Sequence, residues 1–358
     1  MMRTVDFDLG IVANTRLAGA LRQVMVPGIG RPGPVATADE IAAAEADCVA
    51  WAERIGLIAE ASPYARKFRL SQLAALAAYT LPDVRPARAR WFIYLQAFIF
   101  TLDDALDNLR DIRVDADYLA YEPLTRVLAA FQATLEGEPA DPARDAALAR
   151  DLPLFAAFSD ALADVRRLAQ AEGSLEWFLA SMRGYFEAMA WEHAAHTDAG
   201  YVATVSTYMH NREQTISYVQ SIESFLLIKG VTLSAALRRR HPVGLLLTSA
   251  CRHVILVNDI FSLAKEIACE ELDNVLLLDP TRAQRSLRRR FEALLEQVDA
   301  LAAEIGHVAR GLLAAHPGDG EVAAYVETIV NSVNGHIAWY AESRRYGAVV
   351  RVPLRAAG

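Results

Sequence analysis

The hydrophobic positions of this chain recur at helical spacing over most of its length. Apolar residues return every three or four positions in successive segments, which proline, glycine and polar residues separate. These segments predict helices at 69–80, 86–108, 117–135, 143–168, 173–195, 201–229, 231–239, 243–268, 280–315 and 319–343. An earlier helix is expected to begin near Thr37 or Asp39 and to run through Trp51. Since no run of residues alternates as a strand does, the pattern predicts an all-α bundle.

The same pattern predicts how the chain is divided. Residues 1–38 include the stretch from Val26 to Pro34, which is too rich in proline and glycine for a regular helix. We therefore expect an N-terminal extended arm over 1–38 that lies on a single α-helical domain over 39–358. The segments 86–108 and 243–268 are apolar on most sides, so we expect these helices at the centre of the bundle.

One of the central segments carries polar residues with a regular spacing. Asn258, Ser262 and Glu266 follow each other at steps of four, so their side chains lie along one face of a helix. Amide, hydroxyl and carboxylate oxygens are ligands that Mg²⁺ accepts, with water and a substrate phosphate completing the coordination. The spacing therefore predicts a metal site on this face.

The other central segment ends in a cluster of acidic residues. Asp103, Asp104 and Asp107 lie within about one helical turn, directly after an apolar run. Carboxylates at this distance repel each other, so a positive partner is expected beside them. A divalent metal is the simplest partner. Two acidic or oxygen-rich motifs in one chain indicate a metal site more specifically than either motif does alone.

These motifs together resemble those of the bacterial class I terpene synthases, also called terpene cyclases. The aspartate cluster is similar to the aspartate-rich motif of that family, and Asn258, Ser262 and Glu266 are similar to its metal triad. Arg212, in the segment from Tyr208 to Thr215, is placed like the family's diphosphate-sensing arginine. The pair Arg345 and Tyr346, preceded by Trp339, is similar to its closing motif.

The resemblance implies a class I terpenoid synthase helical bundle around a central active-site cavity. It implies three Mg²⁺ ions with substrate bound, held by the metal ligands Asp103, Asp104, Asp107, Asn258, Ser262 and Glu266. It implies that the leaving diphosphate is bound by the catalytic residues Arg212, Lys265, Arg345 and Tyr346. It also implies substrate contacts from Phe100, Thr215, Ile216, Ser332 and Trp339.

The chain departs from the family pattern at two places that carry these contacts. Ser332 stands where many members have a second tryptophan, which would widen the cavity or leave a hydroxyl in it. Thr215, Ile216 and Ser217 stand where the helix break after the sensing arginine often contains glycine. A substrate-facing main-chain carbonyl at Ile216 is therefore expected from the resemblance alone.

The function that follows is cyclisation of an acyclic prenyl diphosphate to a terpene hydrocarbon or alcohol, with farnesyl diphosphate favoured and geranylgeranyl diphosphate the competitor. A chain-elongating prenyltransferase is one alternative, although that family has a second aspartate-rich motif in place of Asn258 and Ser262. A non-catalytic helical binding protein is another.

Composition limits the classes of binding partner that we expect. A net charge of −8 gives no electrostatic case for nucleic acid. No stretch of about 18 uninterrupted apolar residues predicts a membrane span. Three cysteines in no metal spacing favour a reducing cytoplasm. The partner expected is thus the prenyl diphosphate substrate, and a homodimer is left open.

Overall fold

The computed structural model describes residues 3–8, 11–30, 33–107, 121–136, 153–172, 175–197, 203–269, 274–278, 284–346 and 349–354. Within these ranges the regular structure is helical apart from one short antiparallel sheet, so the all-α prediction is confirmed. The helices, numbered in chain order, are α1 (Ile11–Ala20), α2 (Ala38–Arg54), α3 (Pro63–Leu70), α4 (Leu73–Thr80), α5 (Arg90–Asp107), α6 (Tyr121–Glu136), α7 (Pro153–Glu172), α8 (Glu176–Thr197), α9 (Val205–Thr215), α10 (Tyr218–Lys229), α11 (Ala235–Arg238), α12 (His241–Cys269), α13 (Gln284–Ala315) and α14 (Gly320–Glu342). A single 3₁₀ turn spans Arg344–Tyr346.

The sheet joins the two ends of the chain. Strand β1 (Arg3–Asp8) pairs antiparallel with β2 (Val349–Leu354), so that Arg3 lies opposite Leu354 and Asp8 opposite Val349. The sequence pattern did not predict these strands, because each is short and its partner lies at the far end of the chain. Their pairing is long-range information that a local pattern does not carry.

The N-terminal segment is more regular than the predicted extended arm. It contains β1 and the helix α1, whose residues include no proline and whose Asn14 and Ala18 are buried. The described residues between Leu21 and Thr37 contain no helix, as expected. This stretch is held on α14, where the Asn334 amide accepts from the Val24 N–H (2.9 Å) and donates to the Val24 carbonyl (3.0 Å).

Two predicted helices are each interrupted once. The 69–80 segment is divided between α3 and α4 by Gln72, and the 201–229 segment is divided between α9 and α10 by Ser217. Both residues have positive φ, 51° and 59°, and a helix cannot continue through a residue in the left-handed region. The predicted residues 108, 117–120, 143–152, 173–174, 201–202 and 280–283 lie outside the described ranges.

Local signals explain several helix ends. Helix α2 begins with a capping box, in which the Thr37 hydroxyl accepts from the Glu40 N–H and the Glu40 carboxylate accepts from the Thr37 N–H. Thr204 and Thr207 form the corresponding reciprocal pair at the start of α9. The predicted start of a helix at Thr37 is thereby confirmed, because the residue that satisfies the first free N–H groups is local to the helix it caps.

The described residues form two compact units. The first unit comprises Met1–Gly33, Val202–Ile216 and Leu233–Gly358, and the second comprises Pro34–Tyr201 and Ser217–Thr232. The prediction of a single domain over 39–358 stays a prediction. The second unit has an aromatic core in which Phe131 packs within 6 Å, centroid to centroid, of Phe98, Phe155, Phe158 and Phe186. Helix α5 is buried over 91–99 within this unit, as predicted.

Helix α12 is a buried helix of the first unit. Nearly all its residues from Val254 to Ala264 are shielded from solvent, as the apolar pattern predicted. By length and composition alone, the segment His241–Ile267 is the one helix of the described residues that could cross a membrane, and 72% of its most apolar window is buried inside the protein. Such burial is typical of a core helix, and a core helix can have the same length and composition as a membrane-spanning one.

Candidate metal centre

The three predicted triad residues lie on a buried face of α12. Asn258, Ser262 and Glu266 are 8%, 2% and 5% exposed, although two of them are strongly polar. Polar groups at this depth need hydrogen-bond or ionic partners, because burial removes their contacts with water. The identity of those partners decides what this face of the helix can bind.

Asn258 has a defined amide orientation. Arg212 Nη2 lies 3.2 Å from Asn258 Oδ1, and Asn258 Nδ2 donates to the Tyr340 hydroxyl oxygen at 2.6 Å. Since a guanidinium group can only donate, the amide atom that faces Arg212 must be oxygen. Helix α9 thus brings the predicted sensing arginine to the first residue of the predicted triad.

Glu266 has a carboxyl group with little water around it. Burial, and then the nearby charge of Asp259, raise the pKa of Glu266 to about 8, while Lys265 and the neighbouring side chains of Ser262 and Asn274 act in the opposite direction. The Ser262 hydroxyl itself has no hydrogen-bond partner among the described residues. Asn274 Nδ2 donates to Glu266 Oε2 at 2.6 Å. Lys265 is half-buried, so its charge offsets that of Glu266 only in part.

Sequence reasoning missed Asp259 and Tyr208, two hydrogen-bonded residues that lie close to the triad. Asp259 is completely buried and accepts from the Tyr208 hydroxyl (2.7 Å) and from the Val275 N–H (3.0 Å). Burial, and then the charge of Asp259, raise the pKa of Tyr208. A charged residue inside an apolar helical run is the one signal that could have identified Asp259. Tyr208 lies one turn before Arg212, so α9 contacts α12 at two successive positions.

The closing motif lies beside the triad within the first unit. The Tyr346 ring is 5.1 Å from that of Tyr340 and 5.8 Å from that of Trp339, and Tyr340 stacks on Phe261 of α12 at 4.9 Å. Arg345 places its guanidinium carbon 6.0 Å from the centre of the Tyr346 ring. Trp339, predicted as a substrate contact, is 2% exposed within this aromatic cluster.

The aspartate-rich motif ends α5 in the second unit. Asp103 is half-buried, whereas Asp104 is 1% exposed and has one oxygen 2.9 Å from Lys67 Nζ and the other 3.3 Å from the Tyr64 hydroxyl. The positive partner that the acidic cluster required is therefore supplied at Asp104 by a lysine of α3. The Asp107 side chain lies outside the description, and metal binding by all three aspartates stays a prediction.

The remaining predicted substrate contacts occupy different environments. Phe100 is half-buried on α5, three positions before Asp103. Thr215 is buried at the end of α9, and Ile216, half-buried, caps that helix before the turn at Ser217. Ser332 is completely buried on α14, two turns before Tyr340, and its hydroxyl has no hydrogen-bond partner among the described residues. Their roles toward a substrate stay predictions.

The donors of the triad fit a hard divalent cation. They are an amide oxygen, a hydroxyl and a carboxyl group, and the nearby negative charge of the buried Asp259 adds to burial in raising the pKa of Glu266. Among the described residues no group of three or more His, Cys, Asp or Glu side chains is placed to hold a metal. The triad contains only one such residue, so a site there depends on amide and hydroxyl oxygens and on a phosphate ligand.

A comparison with known protein families matches the part of the chain that contains these residues. The family model described as terpene synthase family 2, C-terminal metal binding, matches residues 94–299, more than half of the chain. That range begins within α5 and includes the aspartate-rich motif, Arg212 and the complete triad.

Curated relatives match over most of their length. Germacrene A synthase of Nostoc punctiforme is 23% identical over 346 residues, which cover 93% of this chain and 99% of the relative. The (−)-β-caryophyllene synthase of Saccharothrix espanaensis is 27% identical over 330 residues, with 88% of each chain covered.

Solved structures share the fold. The 2-methylisoborneol synthase of Streptomyces coelicolor, in complex with Mg²⁺ and 2-fluoroneryl diphosphate, has a TM-score of 0.72 at 18% identity and covers 92% of this chain and 98% of its own. Linalool/nerolidol synthase of Streptomyces clavuligerus, with 2-fluorogeranyl diphosphate, has a TM-score of 0.68 at 18% identity, covering 90% and 99%. The predicted class I terpenoid synthase fold is thereby confirmed.

Proposed function

Because this chain belongs to the bacterial class I terpene synthases, we propose that it is a Mg²⁺-dependent cyclase of an acyclic prenyl diphosphate. It breaks the allylic C–O bond, releases diphosphate and closes the resulting carbocation into a terpene hydrocarbon or alcohol. Enzymes of this family are terpene synthases, so the class of reaction follows from membership. The metal, the substrate and the roles of individual residues are the parts that we propose.

The observation that carries the proposal is the arrangement around Asn258. Three oxygen-bearing side chains share one buried face of α12, and a guanidinium group from α9 donates to the first of them. In a helical protein without a binding site, a face of this kind would add no stability, since buried polar groups stabilise a fold less than apolar groups of the same shape do. A site for a metal and a diphosphate gives each of these groups a function.

We assign Asn258, Ser262 and Glu266 to one Mg²⁺ and the aspartate-rich motif to two more. Asp103 is assigned as the direct ligand of that motif, because it is more exposed than Asp104. Bound Mg²⁺ would stabilise the negative charge that develops on the leaving diphosphate. Asp104 contributes less directly in this assignment, because Lys67 and Tyr64 already contact its two oxygens.

The cationic side chains act on the leaving group. When the C–O bond breaks, its electron pair stays with the diphosphate, and donors already in place stabilise it without reorganising. Arg212 suits this role because a planar guanidinium can donate two hydrogen bonds to one phosphate. Lys265 and Arg345 add charge, and the Tyr346 hydroxyl adds a hydrogen bond. Phe100 and Trp339 would then present aromatic faces to the cation, each contact contributing about 0.5 to 2 kcal/mol.

Farnesyl diphosphate is the proposed substrate. The name of the Saccharothrix relative specifies cyclisation of (2E,6E)-farnesyl diphosphate, and that protein is 27% identical to this chain. Two structural neighbours are complexes with analogues of geranyl and neryl diphosphate, which are shorter than farnesyl diphosphate. The small Ser332 would favour a longer one, so geranylgeranyl diphosphate is the competing substrate.

The test is incubation of the purified protein with C10, C15, C20 and C25 prenyl diphosphates in the presence of Mg²⁺. Extracted volatiles are identified by mass spectrometry, and released diphosphate is measured in parallel. We expect cyclic C15 products that disappear with a chelator and in the variants Asn258→Ala and Asp103→Ala. The matched control is Asn334→Ala, which removes a comparable amide that contacts the main chain of Val24.

The same experiment separates the alternatives. A chain-elongating prenyltransferase would produce no volatiles, but would make longer diphosphates once isopentenyl diphosphate is added. A helical binding protein would release no diphosphate from any substrate. Either result would overturn the proposed cyclisation, and a C20 product alone would replace farnesyl diphosphate with its longer homologue.

A further inference from the structure

The two ends of the triad are each hydrogen-bonded by a buried side chain that comes from outside α12. Tyr340 of α14 accepts from Asn258 Nδ2 at 2.6 Å, and Asn274 donates to Glu266 Oε2 at 2.6 Å. Tyr340 is 2% exposed and Asn274 is completely buried. Neither residue belongs to the motifs by which the triad was recognised.

Tyr340 determines which atom of the Asn258 amide faces the site. The amide nitrogen points to the Tyr340 hydroxyl, which leaves the oxygen on the side where Arg212 donates. The Tyr340 ring is itself fixed, since it stacks on Phe261 with an interplanar angle of 8°. Without the hydroxyl the buried amide nitrogen would lose its acceptor, and a rotated amide would present a donor where a metal requires an oxygen.

Asn274 holds Glu266 with an equally constrained amide. Its nitrogen donates both to Glu266 Oε2 and to the main-chain oxygen of Asp259 (2.7 Å), and its oxygen accepts from the Leu276 N–H (2.9 Å). The next residue, Val275, donates its N–H to the Asp259 carboxylate at 3.0 Å. The turn at Asn274 is therefore attached to α12 directly beside Asn258 as well as at Glu266.

We propose that Tyr340 and Asn274 are positioning residues, which fix the ligand oxygens of Asn258 and Glu266 before a divalent cation binds. The inference rests on the proposed function, since it presumes that the triad binds the metal. Tyr340 binds the amide nitrogen of Asn258 and Asn274 binds one carboxyl oxygen of Glu266, so that each ligand directs its remaining oxygen toward the metal. Such outer partners typically contribute about tenfold to a hundredfold to metal affinity.

A purely structural role makes a different prediction. If these hydrogen bonds only attach α14 and the turn to α12, their removal lowers the free energy of unfolding and leaves metal affinity as it was. The two roles are therefore separated by measuring stability and metal binding on the same variants. Turnover alone would not separate them, because a partly unfolded enzyme also loses turnover.

The first test compares Tyr340→Phe with Tyr325→Phe in the full chain. Tyr325 is also buried on α14, and its hydroxyl donates to the main-chain oxygen of Val243 on α12 at 3.2 Å, so the control loses a similar contact between the same helices. Mn²⁺ binding in the presence of inorganic diphosphate is measured by electron paramagnetic resonance, and thermal unfolding is measured alongside. We expect similar losses of stability, with Mn²⁺ binding weakened about tenfold or more only in Tyr340→Phe.

The second test compares Asn274→Ala with Asn334→Ala. Asn334 also attaches a loop to a helix through both atoms of its amide, but the loop is the one at Val24. We expect weaker Mn²⁺ binding in Asn274→Ala and unchanged binding in Asn334→Ala. If Asn274→Ala does not fold, Asn274→Gln, which retains the amide with a longer reach, should fold and still bind Mn²⁺ more weakly than the wild type.

The outcomes distinguish the two proposals. A wild-type protein that takes up no Mn²⁺ with diphosphate would overturn both the metal site and the positioning roles. Normal uptake by the wild type, with the same affinity in Tyr340→Phe and in the Asn274 variants, would leave the proposed function in place and remove the positioning roles.

Discussion

Buried hydroxyl groups on neighbouring turns of α14 differ in their partners. Thr328 donates to the Ala324 carbonyl at 2.7 Å, whereas the Ser332 hydroxyl has no partner among the described residues. Both side chains are completely buried. A buried hydroxyl that has lost its contacts with water and has gained no hydrogen-bond partner lowers the stability of the fold. A buried hydroxyl with a good acceptor does not.

We therefore expect Ser332→Ala to increase the free energy of unfolding by about 1 kcal/mol, since it removes the buried polar atom and improves helix propensity. Thr328→Val, which removes a satisfied hydroxyl one turn earlier, should give no increase. Denaturant unfolding of both variants measures the difference. Equal changes in the two variants would mean that Ser332 is solvated or bonded in solution.

Arg212 is the residue for which a small chemical change should have a large effect. In Arg212→Lys the charge stays, but the planar fork that can contact Asn258 and a phosphate together is lost. We expect kcat/KM to fall about tenfold or more. Arg239→Lys, at an exposed position after α11, is the control and should leave it unchanged. Equal effects of the two substitutions would exclude Arg212 from the diphosphate site.

The sequence predicted the members of the site better than their partners. Asn258, Ser262 and Glu266 lie on one helix, so a local spacing was enough to place them on one face. Tyr340, Asn274 and Tyr208 reach the same face from other elements, and no local pattern records such contacts. Lys67 was missed for the same reason, although the need for a positive charge beside Asp104 was predicted.

At the level of elements, the helix boundaries followed from the apolar pattern, but the two left-handed breaks did not. Glycine usually marks such a break, because it adopts positive φ without steric cost. Gln72 and Ser217 give no such signal, so each pair of helices was predicted as one. The observed turn at Ser217 directly follows Ile216, where a substrate-facing carbonyl is expected by resemblance.

The Ser217 turn gives a prediction for this element. Ser217→Gly should raise the free energy of unfolding by up to about 1 kcal/mol, because it relieves the positive φ and removes a buried hydroxyl that has no partner among the described residues. Ser217→Val should lower it by about 1 to 2 kcal/mol, since a β-branched residue is unfavourable there. Thermal unfolding of the two variants provides the test. Greater stability in the valine variant would show that the two helices are continuous.

At the level of the whole molecule, a buried histidine of the core couples stability to pH. His253 on α12 is completely buried, and neither ring nitrogen has a hydrogen-bond partner among the described residues. Burial, and then the nearby His336, lower the pKa of His253 to about 3. Burial also lowers the pKa of His336, to about 4, although its side chain keeps some exposure and we expect a smaller effect from it.

The direction of the pH effect follows from where each state takes up a proton. The unfolded chain protonates this histidine near pH 6.5, whereas the folded chain does so only near the lowered pKa, so acid favours unfolding between the two values. The stability that depends on a neutral His253 is fully present above about pH 6.5 and is lost as the pH falls toward the lowered pKa. At pH 5 the loss from His253 is about 2 kcal/mol.

We therefore expect the wild type to lose more stability between pH 7.5 and pH 5 than His253→Leu does, by about 2 kcal/mol. Denaturant unfolding at the two pH values measures this difference. A change in packing caused by the substitution alters stability equally at both pH values, so it does not contribute to the difference. His241→Leu, at an exposed histidine that begins the same helix, should behave as the wild type. The same pH dependence in all three proteins would mean that water reaches His253 in the folded state and that the core around α12 is less closed than its burial implies.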